Sequence, residues 1–246
     1  MHEDRTVPSE SGQALVESAL TLPLQVLVVL GVLQLFLMLH GRLMAEYAVF
    51  RAVRAGSVNH GDCTAMTHAA VAALLPVITS AGSPAEIGAA FGRHRNNRYF
   101  QGGHTGQIVE LVREQPDPST VPMDEEIWFD QPPRRLMRLE VRMLFWFRMK
   151  VPFADWVMSR ILLAHFGIAE YHAVSPFLAT RTDANWQDGG ARFDLQPWPG
   201  GSIAANLGTW SSNGHYLFPI EVNATMRMMT PALKRFFPDG QYACPL

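Results

Sequence analysis

Ala19-Leu20-Thr21-Leu22-Pro23-Leu24-Gln25-Val26-Leu27-Val28-Val29-Leu30-Gly31-Val32-Leu33-Gln34-Leu35-Phe36-Leu37-Met38-Leu39 carries no charged residue, and only Thr21, Pro23, Gln25, Gly31 and Gln34 interrupt its apolar run. At 1.5 Å of rise per helical residue, its roughly 21 residues cover about 30 Å, the thickness of a bilayer's hydrocarbon core. The stretch reads as one membrane span close to the N-terminus. A cleavable secretory signal starts with basic residues and ends in a small-residue cleavage site. Here Glu3, Asp4 and Glu10 precede the span against Arg5, and His40-Gly41-Arg42 follows it. The span is therefore expected to stay as an anchor.

Outward from the span, Arg42 to Ala55 contains strong helix formers and no breaker before Gly56. Leu43, Tyr47, Phe50 and Arg54 recur at three- and four-residue spacing, so the span predicts a helix that continues from about residue 13 to 55 as a stalk with an apolar stripe in need of a partner. Pro23 removes one backbone hydrogen bond and is expected to kink the early part. Ser57 to Asp62 ends the helix, and Cys63 to Thr79 reads as a second. Ser83-Pro84-Ala85-Glu86 matches a capping box with proline at the first helical position, which predicts a short third.

Further along, Arg138 to Val151 alternates. Leu139, Val141, Met143, Phe145, Phe147, Met149 and Val151 occupy one face, and Arg138, Glu140, Arg142, Arg148 and Lys150 share the other with Leu144 and Trp146. This predicts a half-buried antiparallel strand. Ile220 to Met228 alternates in the same way and is expected in the same sheet. Between them, Trp156 to Phe166 reads as a helix stopped by Gly167. Gly92 to Gly106, Gln115 to Pro133 and the glycine-, proline- and tryptophan-rich Asp183 to His215 read as loops, the last with Trp186, Trp198 and Trp210 expected to bury locally.

Composition narrows the classes. A net charge of −2 with 17% charged residues supplies no basic field for nucleic acid, and 48% apolar residues exclude a disordered chain. The arginines of the Arg93 to Phe100 segment form too short a patch to change that. Nine histidines show no recognised ligand spacing, and Asp124, Glu125, Glu126 and Asp130 lack the alternation of a calcium loop, so no metal or cofactor is expected. No phosphate-binding loop, dinucleotide fingerprint or nucleophile elbow occurs, and no catalytic residue is assigned. The two cysteines, Cys63 and Cys244, leave two alternatives open: one disulfide tying down the C-terminus if the domain lies outside the cytoplasm, or two separate thiols.

Gly12-Gln13-Ala14-Leu15-Val16-Glu17-Ser18-Ala19-Leu20-Thr21-Leu22-Pro23, the apolar span, and then Arg42-Leu43-Met44-Ala45-Glu46-Tyr47-Ala48 with Arg51-Ala52-Val53-Arg54-Ala55-Gly56 resemble the TadE-like family, minor pseudopilins of bacterial tight-adherence (Tad, Flp or type IVc) pilus systems. The resemblance implies a prepilin-type leader at 1–12, cut by prepilin peptidase between Gly12 and Gln13, a transmembrane and stalk helix at 13–56, and an exported globular domain at 57–246. It implies an α+β fold, with a periplasmic pseudopilin-like head of helices on a small antiparallel sheet. It further implies a single-pass protein of the inner membrane whose partners are the lipid bilayer and other pilin or pseudopilin subunits. Glu17 becomes the fifth residue of the processed chain, where pilins carry their glutamate. A carboxylate at the membrane edge is costly without a cation, and the new α-amino group of a neighbouring subunit is one; the chain's own amine, on the same helical face, is another.

Two readings compete. Arg42, Arg51 and Arg54 after the span outnumber Arg5 before it, which on a basic-residue count leaves the large domain in the cytoplasm. A membrane-tethered periplasmic enzyme or ligand-binding domain would require an equipped pocket, for which the sequence offers His172, Asp183, Asp188 and His215.

Overall fold

The computed structural model describes residues 11–80, 82–99, 106–121, 138–167 and 203–244. A single helix, α1 (Ser11–Val58, 48 residues), runs from the N-terminal end, about 72 Å at helical rise. The turn that ends it places His60 and Gly61 at positive φ, and Gly61 also lies against Phe237, where a Cβ would stand 2.4 Å from the ring. Only glycine meets both conditions. Asp62 then caps α2 (Cys63–Ile78) by accepting from the Thr64 N–H at 2.9 Å.

Ser83 caps α3 (Pro84–His94) by accepting from the Glu86 N–H, while Glu86 accepts from the N–H of Gly82 at 2.9 Å. That reciprocal pair holds the Glu86 carboxyl below the usual carboxylate range, the Gly82 bond first and Ser83 second. Three antiparallel strands follow in the order β1-β2-β3: β1 (Val109–Gln115), β2 (Arg138–Arg148) and β3 (Leu217–Arg227). Two more helices, α4 (Ala154–Gly167) and α5 (Ile203–Ser212), lie between β2 and β3. The fold is α+β, a long apolar helix followed by helices on a small antiparallel sheet.

β2 is the middle strand, and this corrects the expectation that it is half-buried. From Val141 to Phe147 every residue is buried. The odd face, Leu139 to Phe147, meets α1, while on the even face Trp146 packs edge-on against Trp210 of α5 with ring centroids 4.5 Å apart. Trp210 thus buries locally, but on a helix: residues 203–212 of the expected loop are helical because Ile203 and Leu207 cover the sheet. β1 has no counterpart among the strands expected from sequence. Its Val109, Leu111 and Arg113 share the inner face, and a charged residue at a core position breaks the alternation.

The lower part of α1 is bare. Val16, Leu20, Leu24, Val28 and Val32 are all about half exposed or more, whereas Ala45, Ala48, Val49, Ala52 and Val53 are buried. The seam with the sheet is built of small residues at helical spacing, Gly41, Ala45, Ala48, Ala52 and Gly56. A Cβ on Gly41 would stand 2.6 Å from the Phe147 ring, and one on Gly56 2.7 Å from Leu139. Gly41→Val should therefore force Phe147 off the helix and cost about 1–3 kcal/mol, as overpacking does. A thermal melt of the full chain in detergent that matches wild type would refute this contact.

Candidate functional site

α1 presents three distinct regions. At its start, Gly12 and Gln13 lie in the first turn, and Glu17 follows one turn later, exposed. From Ser18 to Leu33 the residues are mostly exposed and apolar, and one helix of the described chain is long and apolar enough to cross a membrane by length and composition. An exposed carboxylate at the edge of such a surface is stable in headgroups or beside a cation and costly within hydrocarbon.

The second region is the junction at Gln34. Its side chain is fully buried, and its Oε1 accepts the N–H groups of Lys150 (3.2 Å) and Val151 (2.9 Å). Read from sequence, Gln34 is a candidate for contacts between helices of separate chains; here it is held by the chain's own head. The head thus meets α1 five residues earlier than a span ending at Leu39 implies, and Leu37 and Met38 already pack against the core. Beside this junction, Lys150 Nζ donates to the Val77 carbonyl at 2.6 Å, and burial, followed by the Arg148 charge, pulls its pKa down.

The third region is the outward face of the stalk. Leu39, Leu43, Tyr47 and Phe50, at 57%, 56%, 49% and 46% exposure, form a column pointing away from the head, and Arg42 pairs with Glu46 on the same exposed side at 3.4 Å. The apolar stripe visible in the sequence is this one; the stripe that packs on the sheet is the small-residue seam, whose alanines and glycines give a weak hydrophobic signal. Their spacing at 41, 45, 48, 52 and 56 was the available clue.

At the far end, Cys63 and Cys244 are joined with Cα atoms 5.3 Å apart. The tail they hold pairs with β1: the Cys244 N–H donates to Leu111 O (2.8 Å) and the Arg113 N–H to Tyr242 O (2.9 Å). Nothing in the sequence pattern singles out Arg113. Its side chain is buried, donates to the carbonyls of Gly61 (3.1 Å), Phe236 and Gln241 (3.3 Å), and stacks over Phe237 at 4.2 Å. Burial pushes its pKa down to about 10, partly offset by Asp62, so it remains a cation at neutral pH. Glu17 and this clamp lie at opposite ends of α1.

A cavity of about 410 Å³ lies between the end of α2 and the end of β2, lined by Ile78, His94, Tyr99, Arg148 and Lys150 among others. Its polar groups serve as ties. The Tyr99 hydroxyl donates to Trp146 O at 2.6 Å, with burial raising its pKa, and His94 Nδ1 lies 2.9 Å from Arg98 O. Among the described residues no group of three or more His, Cys, Asp or Glu is placed to hold a metal ion. Of the pocket considered from sequence, His172, Asp183 and Asp188 lie outside the described residues; His215 follows α5, its N–H donating to Trp210 O at 2.9 Å.

The family model for TadE-like protein matches residues 12–54, which is α1 almost to its end. The N-terminal segment is TadE-like, and the match stops short of the head. No curated protein and no solved structure matches the chain.

Proposed function

From this TadE-like segment we propose that the chain is a membrane-anchored, prepilin-like minor pseudopilin that acts in the assembly or structure of a Tad-type (type IVc) pilus or a related secretion filament. The observation that carries the reading is the division of α1: one side of its upper half is filled by the head, while the Val16 to Leu33 surface and the Leu39, Leu43, Tyr47 and Phe50 column are left open. Helices exposed in this way associate laterally through close packing and polar contacts in lipid. In this scheme prepilin peptidase cuts between Gly12 and Gln13, the leader 1–12 is lost, and Glu17 meets the new α-amino group of a neighbouring subunit and sets the register. The chain has a structural role, with other pilin or pseudopilin subunits as partners.

The head, 57–246, is placed on the periplasmic side of the inner membrane. The Cys63–Cys244 bond supports that side, because disulfides persist in oxidising compartments. The arginine count favours the opposite side, but Arg51 and Arg54 stand roughly 25 to 30 Å along α1 from the Gln34 junction, at the far edge of the window over which juxtamembrane charge counts, which weakens their vote without cancelling it. Labelling intact cells with a membrane-impermeant thiol reagent, before and after reduction, separates the two. Thiols reactive without reduction, and only after membrane disruption, would place the head in the cytoplasm.

Glu17→Ala is expected to leave protein levels normal and abolish surface filaments, scored by electron microscopy of cells alongside immunoblots. Full piliation of the variant would remove Glu17 from the mechanism. The N-terminal mass of the purified protein tests processing independently, and a chain that still begins at Met1 in cells with active prepilin peptidase would exclude it.

A further inference from the structure

β2 runs antiparallel to α1 along the seam, with Leu139 beside Gly56, Phe147 beside Gly41 and Val151 bonded to Gln34. The chain leaving β2 is thereby delivered to the point on α1 where the bare apolar surface ends. There Phe153 takes a φ of 72°, an uncommon region for an aromatic residue. It holds its ring outward at 57% exposure, nearly parallel to Trp156 (23° between planes, centroids 6.3 Å apart), which is itself 45% exposed. Ile161, at 66%, is exposed at the opposite edge of α4's open arc, with Arg160 between it and Trp156, while Ala154 and Ser159 are buried and Met158, Leu162 and Leu163 pack on the core. The open arc of α4 thus carries Trp156 and Ile161 on either side of Arg160, apolar surface around one long cationic side chain, an arrangement suited to a membrane interface.

The position along α1 says what that neighbour is. From Val16 to Gln34 the helix rises about 27 Å, close to the hydrocarbon thickness of a bilayer, so a membrane crossed by this segment has its surface at the level of Lys150 and Val151. Phe153 follows two residues later. Aromatic rings gather at this level, and Arg160 of α4 is exposed, a long cationic side chain of the kind that reaches headgroup phosphates. We propose that α4 is an interfacial helix whose Phe153, Trp156 and Ile161 side rests in the headgroup and upper acyl region of the bilayer that α1 crosses, giving the head a second foothold. The proposal depends on reading α1 as a membrane span.

The chain has six tryptophans, and α1 contains none. The full-length protein would be reconstituted into phosphatidylcholine and phosphatidylglycerol vesicles with acyl chains either plain or brominated, and co-flotation with the vesicles measured in parallel. Brominated lipid is expected to quench the wild-type fluorescence, and Trp156→Phe to reduce that quenching by about twofold or more, as loss of an interfacial tryptophan requires. Because Trp156 is half exposed, its replacement by Phe leaves the packed core untouched. Protein that floats while Trp156→Phe quenches like wild type would overturn the foothold and leave the anchor standing. The foothold falls equally if Trp156 is shielded from aqueous acrylamide but not quenched by bromolipid, since a protein partner then covers it. Failure to float would overturn the anchor and the foothold together.

Discussion

Replacing Cys63 and Cys244 by alanine is expected to destabilise the head by about 2–5 kcal/mol, the usual range for a native disulfide that closes a long loop. The closed loop here spans 181 residues, near the upper end of what chain entropy contributes. For a domain of this size the loss corresponds to a melting temperature lower by roughly 5–15 °C, readable by circular dichroism of the full chain in detergent. A second effect follows from where the tail lies. Cys244 and Tyr242 bond to the outer edge of β1, so releasing the tail leaves β1 with unpaired backbone groups, the kind of edge that recruits other chains. Concentration-dependent association of the double variant should accompany the drop in stability. A melting temperature within about 2 °C of wild type would show that the bond contributes little to the fold.

Arg113→Met should cost at least about 1–3 kcal/mol, for a different reason. Methionine fills much of the volume but donates to nothing, and the carbonyls of Gly61, Phe236 and Gln241 lose a common donor inside the protein. Arg113→Lys should fall between, because an ammonium cannot span three acceptors as a planar fork can, and it stacks less well over Phe237. Since arginine and disulfide hold the same tail, their losses should not add: the triple variant should fall short of the sum by about 1 kcal/mol or more. Urea denaturation of wild type, the cysteine double variant, Arg113→Met and the triple variant measures the coupling. Simple additivity would mean that the two ties act on separate parts of the head.

Four of the five described α-helices, α1 to α4, and the two long strands of this fold were legible because their signals are local. Capping marks Ser83 and alternation marks β2 and β3, whereas Gly56, read as the breaker that ends the long helix, lies inside α1, which runs on to Val58. What escaped was set by tertiary contact. β1 carries Arg113 where a strand pattern calls for an apolar residue, and the reason, three carbonyls converging from the α1–α2 turn and the tail, is visible only in three dimensions. α5 hides in a stretch rich in glycine and tryptophan, and is held by Trp210 against Trp146. The even face of β2 carries Arg142, which reads as solvent-facing, yet it is nearly buried between Glu114 and Glu221 at 3.1 and 3.4 Å, bridging all three strands. The TadE-like segment was legible because it is contiguous; that Gln34 binds the chain's own head was not, because its partners are 116 and 117 residues away.

The antiparallel register of α1 and β2 also has a mechanical meaning. A pull along α1 against a head held elsewhere loads their seam in shear along its length, so that the contacts must yield together instead of peeling apart one at a time. Phe147 over Gly41 and Leu139 over Gly56 act as teeth that resist axial slip. The Cys63–Cys244 bond and Arg113 close the distal end, where the polypeptide turns from α1 into α2. The head is thus tied to its helix along the whole seam against a pull directed along α1.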